Sequence, residues 1–142
     1  MPTAADLKPR VVAALCDRPR RPLAIYGRSA VGKTTLVRAV AAEGDIQPLW
    51  HSALDLVERV VEALRGDRYP ALRDALTVDP RPLVVEHLED LRGKPRTREE
   101  LQGLLVLRAA RGGATVLTLT AGRDDAEIVR WLEGWADVAS LG

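Results

Sequence analysis

The sequence predicts a three-layer α/β sandwich, a mainly parallel sheet with helices on both faces. Two observations lead there. Short apolar runs alternate with amphipathic segments in the order strand, helix, strand, helix, strand, helix, strand, the pattern of a parallel sheet with right-handed crossovers. Leu, Val and Ala carry the apolar content and Phe is absent, which suits helices packed on buried parallel strands. The 142 residues amount to one ordinary domain. No repeat, low-complexity tract or linker divides them, so residues 1–142 read as one unit.

The elements follow in order. An apolar segment over 7–16 is helical, with Pro9 tolerable in its first turn. Asp17 to Pro22 is a turn rich in Pro and Arg. Residues 22–26 form a compact apolar strand that ends at Gly27. A helix starts near Gly32 and Lys33 and runs to Glu43, with Leu36, Val37, Val40 and Ala41 on one face and Gly44 as its stop. A second strand covers 47–53. Ser52 caps a helix over 54–65 that Gly66 ends, and a shorter helix covers 69–76. Leu83-Val84-Val85 is a third strand, ending in the acid Glu86, and 92–96 is a polar loop. Thr97 with Glu100 matches a capping box for a helix over 98–111, and Gly112-Gly113 breaks it. Residues 114–120 are a β-branched strand, 124–132 a helix, and 137–141 a last short strand.

Bulk properties exclude several classes. Hydrophobic residues at 46 % and charged residues at 29 % describe a globular chain, neither disordered nor membrane-spanning. No apolar stretch approaches the ~20 residues that span a bilayer. The first residues lack an apolar signal core, so the expected location is the cytoplasm. With 21 basic and 20 acidic residues, there is no basic excess and no strong DNA-binding signal. The cluster Arg18, Arg20 and Arg21 reads as a solvated loop. The single cysteine, Cys16, excludes an internal disulfide and reads as a buried thiol within its apolar run. No Cys and His cluster suggests a structural metal.

One motif carries chemistry. Gly27-Arg28-Ser29-Ala30-Val31-Gly32-Lys33-Thr34 fits G-x-x-x-x-G-K-[ST] at every defined position. Glycines let the backbone curl so that successive N–H groups point at phosphate oxygens, and the following helix aims its positive end at the same place. Lys33 reaches the β- and γ-phosphates, and the Thr34 hydroxyl coordinates Mg²⁺. By chance such a pattern arises in roughly one in a few hundred chains of this size. The preceding strand and following helix make chance rarer still. The motif predicts a nucleoside triphosphate as ligand, ATP with Mg²⁺. Hydrolases of this type also need a carboxylate at a second strand end, and Glu86 is placed to hold the metal.

At these residues a family resemblance emerges. Pro22-Leu-Ala-Ile-Tyr-Gly27 resembles the ATPase domain of the bacterial replication initiator DnaA, a branch of the AAA+ P-loop NTPases. So does LVVEHLEDLRGKPRTREE over 83–100. It aligns without a gap to a stretch like LLIDDIQFLAGKERTQEE typical of that family. The Gly93-Lys94-x-Arg96-Thr97-x-Glu99-Glu100 string is its most specific part. The resemblance covers about residues 22–120 and implies an AAA+-like core.

The departures bear on catalysis. The family has two Asp residues where this chain has Glu86 and His87. The first holds Mg²⁺, and Glu86 is one methylene longer. The second activates water; here either a catalytic carboxylate is lost, or His87 serves as base, or Glu89 substitutes. Glu89 is expected to point elsewhere if the strand continues. Thr120 stands where the family's polar sensor is usually Asp, and its hydroxyl can still bond a γ-phosphate. The family's arginine finger falls near Glu133 to Trp135, where no arginine sits, and Arg123 and Arg130 are out of register. The helical lid and the DNA-binding domain are expected to be absent, and base preference is open.

The resemblance thus implies an ATP-binding, DnaA-like domain that regulates replication initiation with weak or no hydrolysis, acting on a protein partner such as a full-length initiator or a second copy. Two alternatives stand beside it: a slow but competent ATPase using Glu86 with His87 or Glu89, and a partner-binding module with a relic phosphate loop. A small-molecule kinase is disfavoured by the short chain. Trp131 and Trp135, spaced i, i+4, read as core or as a capping patch; exposed, they would offer a partner contact. Trp50 and His51 read as packing. Arg96 and Arg98 read as a solvated loop surface.

Overall fold

The computed structural model describes residues 2–17, 19–28, 30–121 and 125–142. The readings made for Arg18, Ser29, Arg123 and Asp124 fall outside the described residues. The elements run α1 (Ala4–Cys16), β1 (Leu23–Gly27), α2 (Ala30–Glu43), β2 (Leu49–Ser52), α3 (Ala53–Arg65) and α4 (Tyr69–Val78). Then come β3 (Leu83–Glu86), a 3-10 turn (Leu88–Leu91), α5 (Pro95–Ala110), β4 (Thr115–Thr120), α6 (Ala126–Glu133) and β5 (Asp137–Ser140).

The five strands form one sheet in the order β2-β3-β4-β1-β5, every pairing parallel. Alternate strand residues feed two cores, as strand periodicity requires. Ala24, Leu83, Val85, Leu117 and Leu119 face one core with leucines and valines of α3 to α6. Leu23, Ile25, Val84 and Val116 face the other with Leu7 and Val11 of α1 and Val37 and Val40 of α2. These are the expected three layers. The order places β1 inside the sheet, between β4 and the edge strand β5. The chain leaves it toward β2 and later crosses back past it to β5, which opens a crevice at the carboxyl ends of the strands, where such sheets bind ligands.

Local signals account for most boundaries. Ser52 caps α3 by accepting from the Asp55 backbone N–H, 3.1 Å. The sequence reading missed the cap of α1, where Thr3 and Asp6 bond reciprocally as a capping box. Hydrogen bonds from Thr3 hold the Asp6 carboxyl below its ordinary pKa. The capping box expected at Thr97 does not form. Helix α5 begins earlier, with Pro95 in its first turn, Lys94 at the N-cap and no side-chain cap bond. Proline's fixed φ favours the first helical turn, so Thr97 becomes an interior residue.

Two further readings are corrected. Cys16 is exposed rather than buried, because the last turn of α1 points it away from the sheet. Arg98 is buried at 8 % exposure. It bonds Glu127 at 2.8 Å and lies 5.7 Å from the Trp131 ring. Trp131 and Trp135 belong to the core, as the sequence reads: Trp135 is buried, Trp131 packs against the same cluster, and the rings meet edge to face at 5.3 Å. Among the described residues no helix is long and apolar enough to cross a membrane.

Arg108 was invisible to the sequence reading and ties the far end of the sheet together. It is 1 % exposed. Its guanidinium donates to the carbonyl oxygens of Leu76, Arg81 (2.6 Å) and Ala114 (3.2 Å), joining the end of α4, the loop before β3 and the start of β4.

Candidate functional site

Three strand ends meet at the crevice. The β1–β4 register sets Gly27 opposite Thr120, and β3 ends beside them at Glu86. The Gly27 carbonyl accepts from the Ala121 backbone N–H at 3.1 Å and from the Lys33 ammonium at 2.8 Å. Gly27 has a second reason to be glycine. A Cβ there would stand 2.3 Å from the Leu141 carbonyl oxygen, because the chain after β5 runs close over the loop, with Leu141 N–H bonded to the Tyr26 carbonyl at 2.8 Å.

From the loop the chain turns into α2, whose helical backbone starts at Ala30. Arg28 is exposed and Gly32 half-buried. Lys33 is 1 % exposed. Burial lowers its pKa, and the nearby negative charge of Glu89 partly offsets this. One residue on, the Thr34 hydroxyl donates to Glu86 Oε1 at 2.8 Å. The first turn of α2 and the end of β3 thus bring a hydroxyl and a carboxylate together across 52 residues of sequence.

Beyond Glu86 the strand does not continue, which corrects the expectation for Glu89. His87 takes a left-handed conformation, φ 62° and ψ 42°. Leu88 and Leu91 are both fully buried. At i, i+3 their side chains eclipse in a 3-10 turn, so the turn sinks both leucines and sends Glu89 back to the crevice. Its carboxylate accepts from the Thr120 backbone N–H at 2.9 Å and lies 3.3 Å from His87 Nδ1. Lys33, Thr34, His87, Glu89 and Thr120 line one narrow cleft with Thr118 and Leu119.

Sequence reasoning missed Arg92. It donates to the Thr120 carbonyl at 3.2 Å and pairs with Asp125 at 2.6 Å, so the backbone of Thr120 is held from both sides. Only the Leu-x-x-Leu spacing after β3 hinted at this turn. A larger, open concavity of about 420 Å³ lies along the edge strand β5, lined by Arg10, Arg21, Tyr26, Glu133, Asp137 and Ser140 among others. Within it Arg21 pairs with Asp137 at 3.7 Å. It holds no residue of the glycine-rich loop after Gly27, whereas the smaller cleft holds Lys33 and Thr34. His51 lies 3.5 Å from Asp55. Among the described residues no group of His, Cys, Asp and Glu is arranged to hold a metal by itself.

A parallel sheet of this order, with a glycine-rich loop between the inner strand β1 and the next helix, has the fold of the ATPase domains of DnaA. The chain belongs to the family of the bacterial DnaA ATPase domain, whose model matches residues 3–131. Domain III of DnaA from Thermotoga maritima superposes with a TM-score of 0.72 at 17 % identity, over all of this chain and 63 % of that one. AMPPCP-bound DnaA from Aquifex aeolicus gives 0.69 at 23 % identity, over 99 % of this chain and 47 % of that one. The DnaC helicase loader gives 0.70 at 18 % identity, over 97 % and 88 %. This chain therefore spans about half the length of the Aquifex protein, and at these identities the likeness speaks for the fold. No curated protein sequence matches it.

Proposed function

We propose that this domain binds ATP with Mg²⁺ in the cleft at the carboxyl ends of β1, β3 and β4, and acts as a nucleotide-responsive regulatory module in the initiation of DNA replication, with weak or no hydrolysis of its own. The observation that carries the reading is the convergence of Thr34 Oγ1 and Glu86 Oε1 at 2.8 Å. Two hard oxygen donors at that separation fit Mg²⁺, since adjacent ligands of an octahedron with bonds of 2.0–2.1 Å stand about 2.9 Å apart. Thr34 and Glu86 would hold the ion directly or through water. Mg²⁺, when bound, supplies charge neutralisation of the phosphates.

The chain's own groups divide the remaining work. Backbone N–H groups of Gly27, Arg28, Ser29, Ala30, Val31 and Gly32 cradle the phosphates, and Lys33 exchanges its bond to the Gly27 carbonyl for the β- and γ-oxygens. The AMPPCP-bound state of the Aquifex DnaA supports ATP as the ligand. Family membership supports a role in replication, and the likeness to a helicase loader supports a protein partner, a full-length initiator or a second copy. Weak hydrolysis rests on what lies in the cleft. The position after Glu86 carries His87, whose side chain is 51 % exposed and leans on Glu89. Thr120 offers one hydroxyl, and no arginine stands at residues 133–135. An arginine finger alone is worth about 10³–10⁵ in rate in GTPases.

The contact between His87 and Glu89 within the cleft favours a slow but competent ATPase as the second reading. Titration calorimetry with ATP and ADP, with and without Mg²⁺, tests binding, and single-turnover hydrolysis on the same sample tests the chemistry. Expected are Mg²⁺-dependent ATP binding and turnover far below an assembled AAA+ ATPase. Absence of heat and of thermal shift would leave the phosphate loop a relic; turnover lost on replacing His87 or Glu86 by Ala would establish the enzyme.

A further inference from the structure

Resting on the nucleotide site proposed above, we infer that Glu89 sets that site's preference between diphosphate and triphosphate, its fixed carboxylate disfavouring a third phosphate so that the domain holds MgADP more tightly than MgATP. The carboxylate lies in the cleft with Lys33 and Thr120. In phosphate-loop proteins the loop lysine reaches the β- and γ-phosphates, so a carboxylate that shares the cleft with Lys33 stands on the side of the terminal phosphate. It is not free to leave. One oxygen accepts from the Thr120 N–H at 2.9 Å, the other lies 3.3 Å from His87 Nδ1, and the side chain is 15 % exposed. The turn that carries it is pinned by the fully buried Leu88 and Leu91. Backbone bonds from Asp90 N–H to the His87 carbonyl and from Arg92 N–H to the Glu89 carbonyl, 3.1 and 3.2 Å, close it.

A carboxylate with both oxygens engaged is a poor general base. What it brings to the cleft is charge. The Lys33 ammonium already feels it, since Glu89 favours the protonated lysine against the effect of burial. A diphosphate presents its charge to Lys33 and the loop amides, further from Glu89. A third phosphate adds negative charge on the side of Thr120, where a full like charge a few ångströms away in a partly buried cleft changes affinity by about tenfold or more. Mg²⁺ at Thr34 and Glu86 relieves part of this, so the penalty is larger for free ATP than for MgATP.

Glu89→Gln tests the charge while keeping the shape, because the amide oxygen still accepts from Thr120 and the amide nitrogen can still bond His87. MgADP and MgATP are titrated calorimetrically into the wild-type domain and into E89Q at one pH and salt. The wild type is expected to bind MgADP about tenfold more tightly than MgATP. E89Q should raise MgATP affinity about tenfold and MgADP affinity by less than about threefold. Equal affinities or an ATP preference in the wild type overturn the inference, and this arm needs no variant to fold. A folded E89Q with MgATP affinity unchanged, or with both affinities raised equally, also overturns it while leaving the nucleotide site intact. If neither nucleotide binds the wild type, the site itself is lost and the inference with it.

Discussion

Replacing Arg108 by Met removes the guanidinium and keeps most of the apolar stem. In the folded domain that guanidinium is buried and serves the carbonyls of Leu76, Arg81 and Ala114, with the Thr115 hydroxyl at 3.3 Å. The Ala114 carbonyl also accepts from the Leu83 backbone N–H at 2.9 Å, so the loss falls mainly on the carbonyls of Leu76 and Arg81. A buried carbonyl left without a donor costs about 1–3 kcal/mol, and loss of a hydrogen bond to a charged donor falls in the same range. The terms are not additive, and relief of the buried charge offsets part of them. The net expectation is about 3–5 kcal/mol, a large share of a domain's stability. At this chain length that lowers Tm by about 10 °C or more. Urea unfolding followed by far-UV circular dichroism measures it, with an unchanged denaturant slope as the check that the unfolded state is the same. Arg108→Lys should recover little, since one ammonium cannot span three separate segments. A loss under about 1 kcal/mol for R108M would refute the assignment of Arg108 as the clamp.

Further outcomes follow from other contacts. Gly113→Ala should mimic part of the R108M defect, because a Cβ there comes within 2.6 Å of Arg108 Cγ; the same urea titration reads it. Gly27→Ala sets a Cβ 2.3 Å from the Leu141 carbonyl oxygen, so it should lower Tm by several degrees before any nucleotide is added, unlike a residue needed for phosphates alone. Asp79 is held to a pKa of about 2 by side-chain and backbone hydrogen bonds with Arg81, against an ordinary 3.8. Its folded-state pKa is depressed, so its stabilisation is complete above pH 3.8 and lost as pH falls toward about 2; Asp79→Asn should lower stability modestly at neutral pH, leave it nearly unchanged below about pH 2, and so flatten the acid limb between. Thr34→Val keeps shape but removes the oxygen beside Glu86, and should abolish most of the Mg²⁺ dependence of ATP affinity measured by calorimetry.

The sequence by itself determined the three layers and most of the element boundaries. Strand periodicity at Leu83-Val84-Val85, helix period at Leu36 to Ala41, the cap at Ser52 and the stop at Gly44 are local rules, satisfied within a few residues of where they are written. The glycine-rich motif from Gly27 to Thr34 is equally local as a pattern, written in eight consecutive residues. Only the tertiary structure decided which acids share the cleft. Glu89 returns to it because Leu88 and Leu91 need burial under the sheet and His87 accepts a left-handed backbone, a choice made by packing rather than by the strand's own period. Likewise Arg108 reads as a surface charge near the end of a helix, yet carbonyls from three distant segments draw it inside; long-range hydrogen-bond satisfaction leaves no mark on neighbouring residues, so it is settled only when the chain has closed.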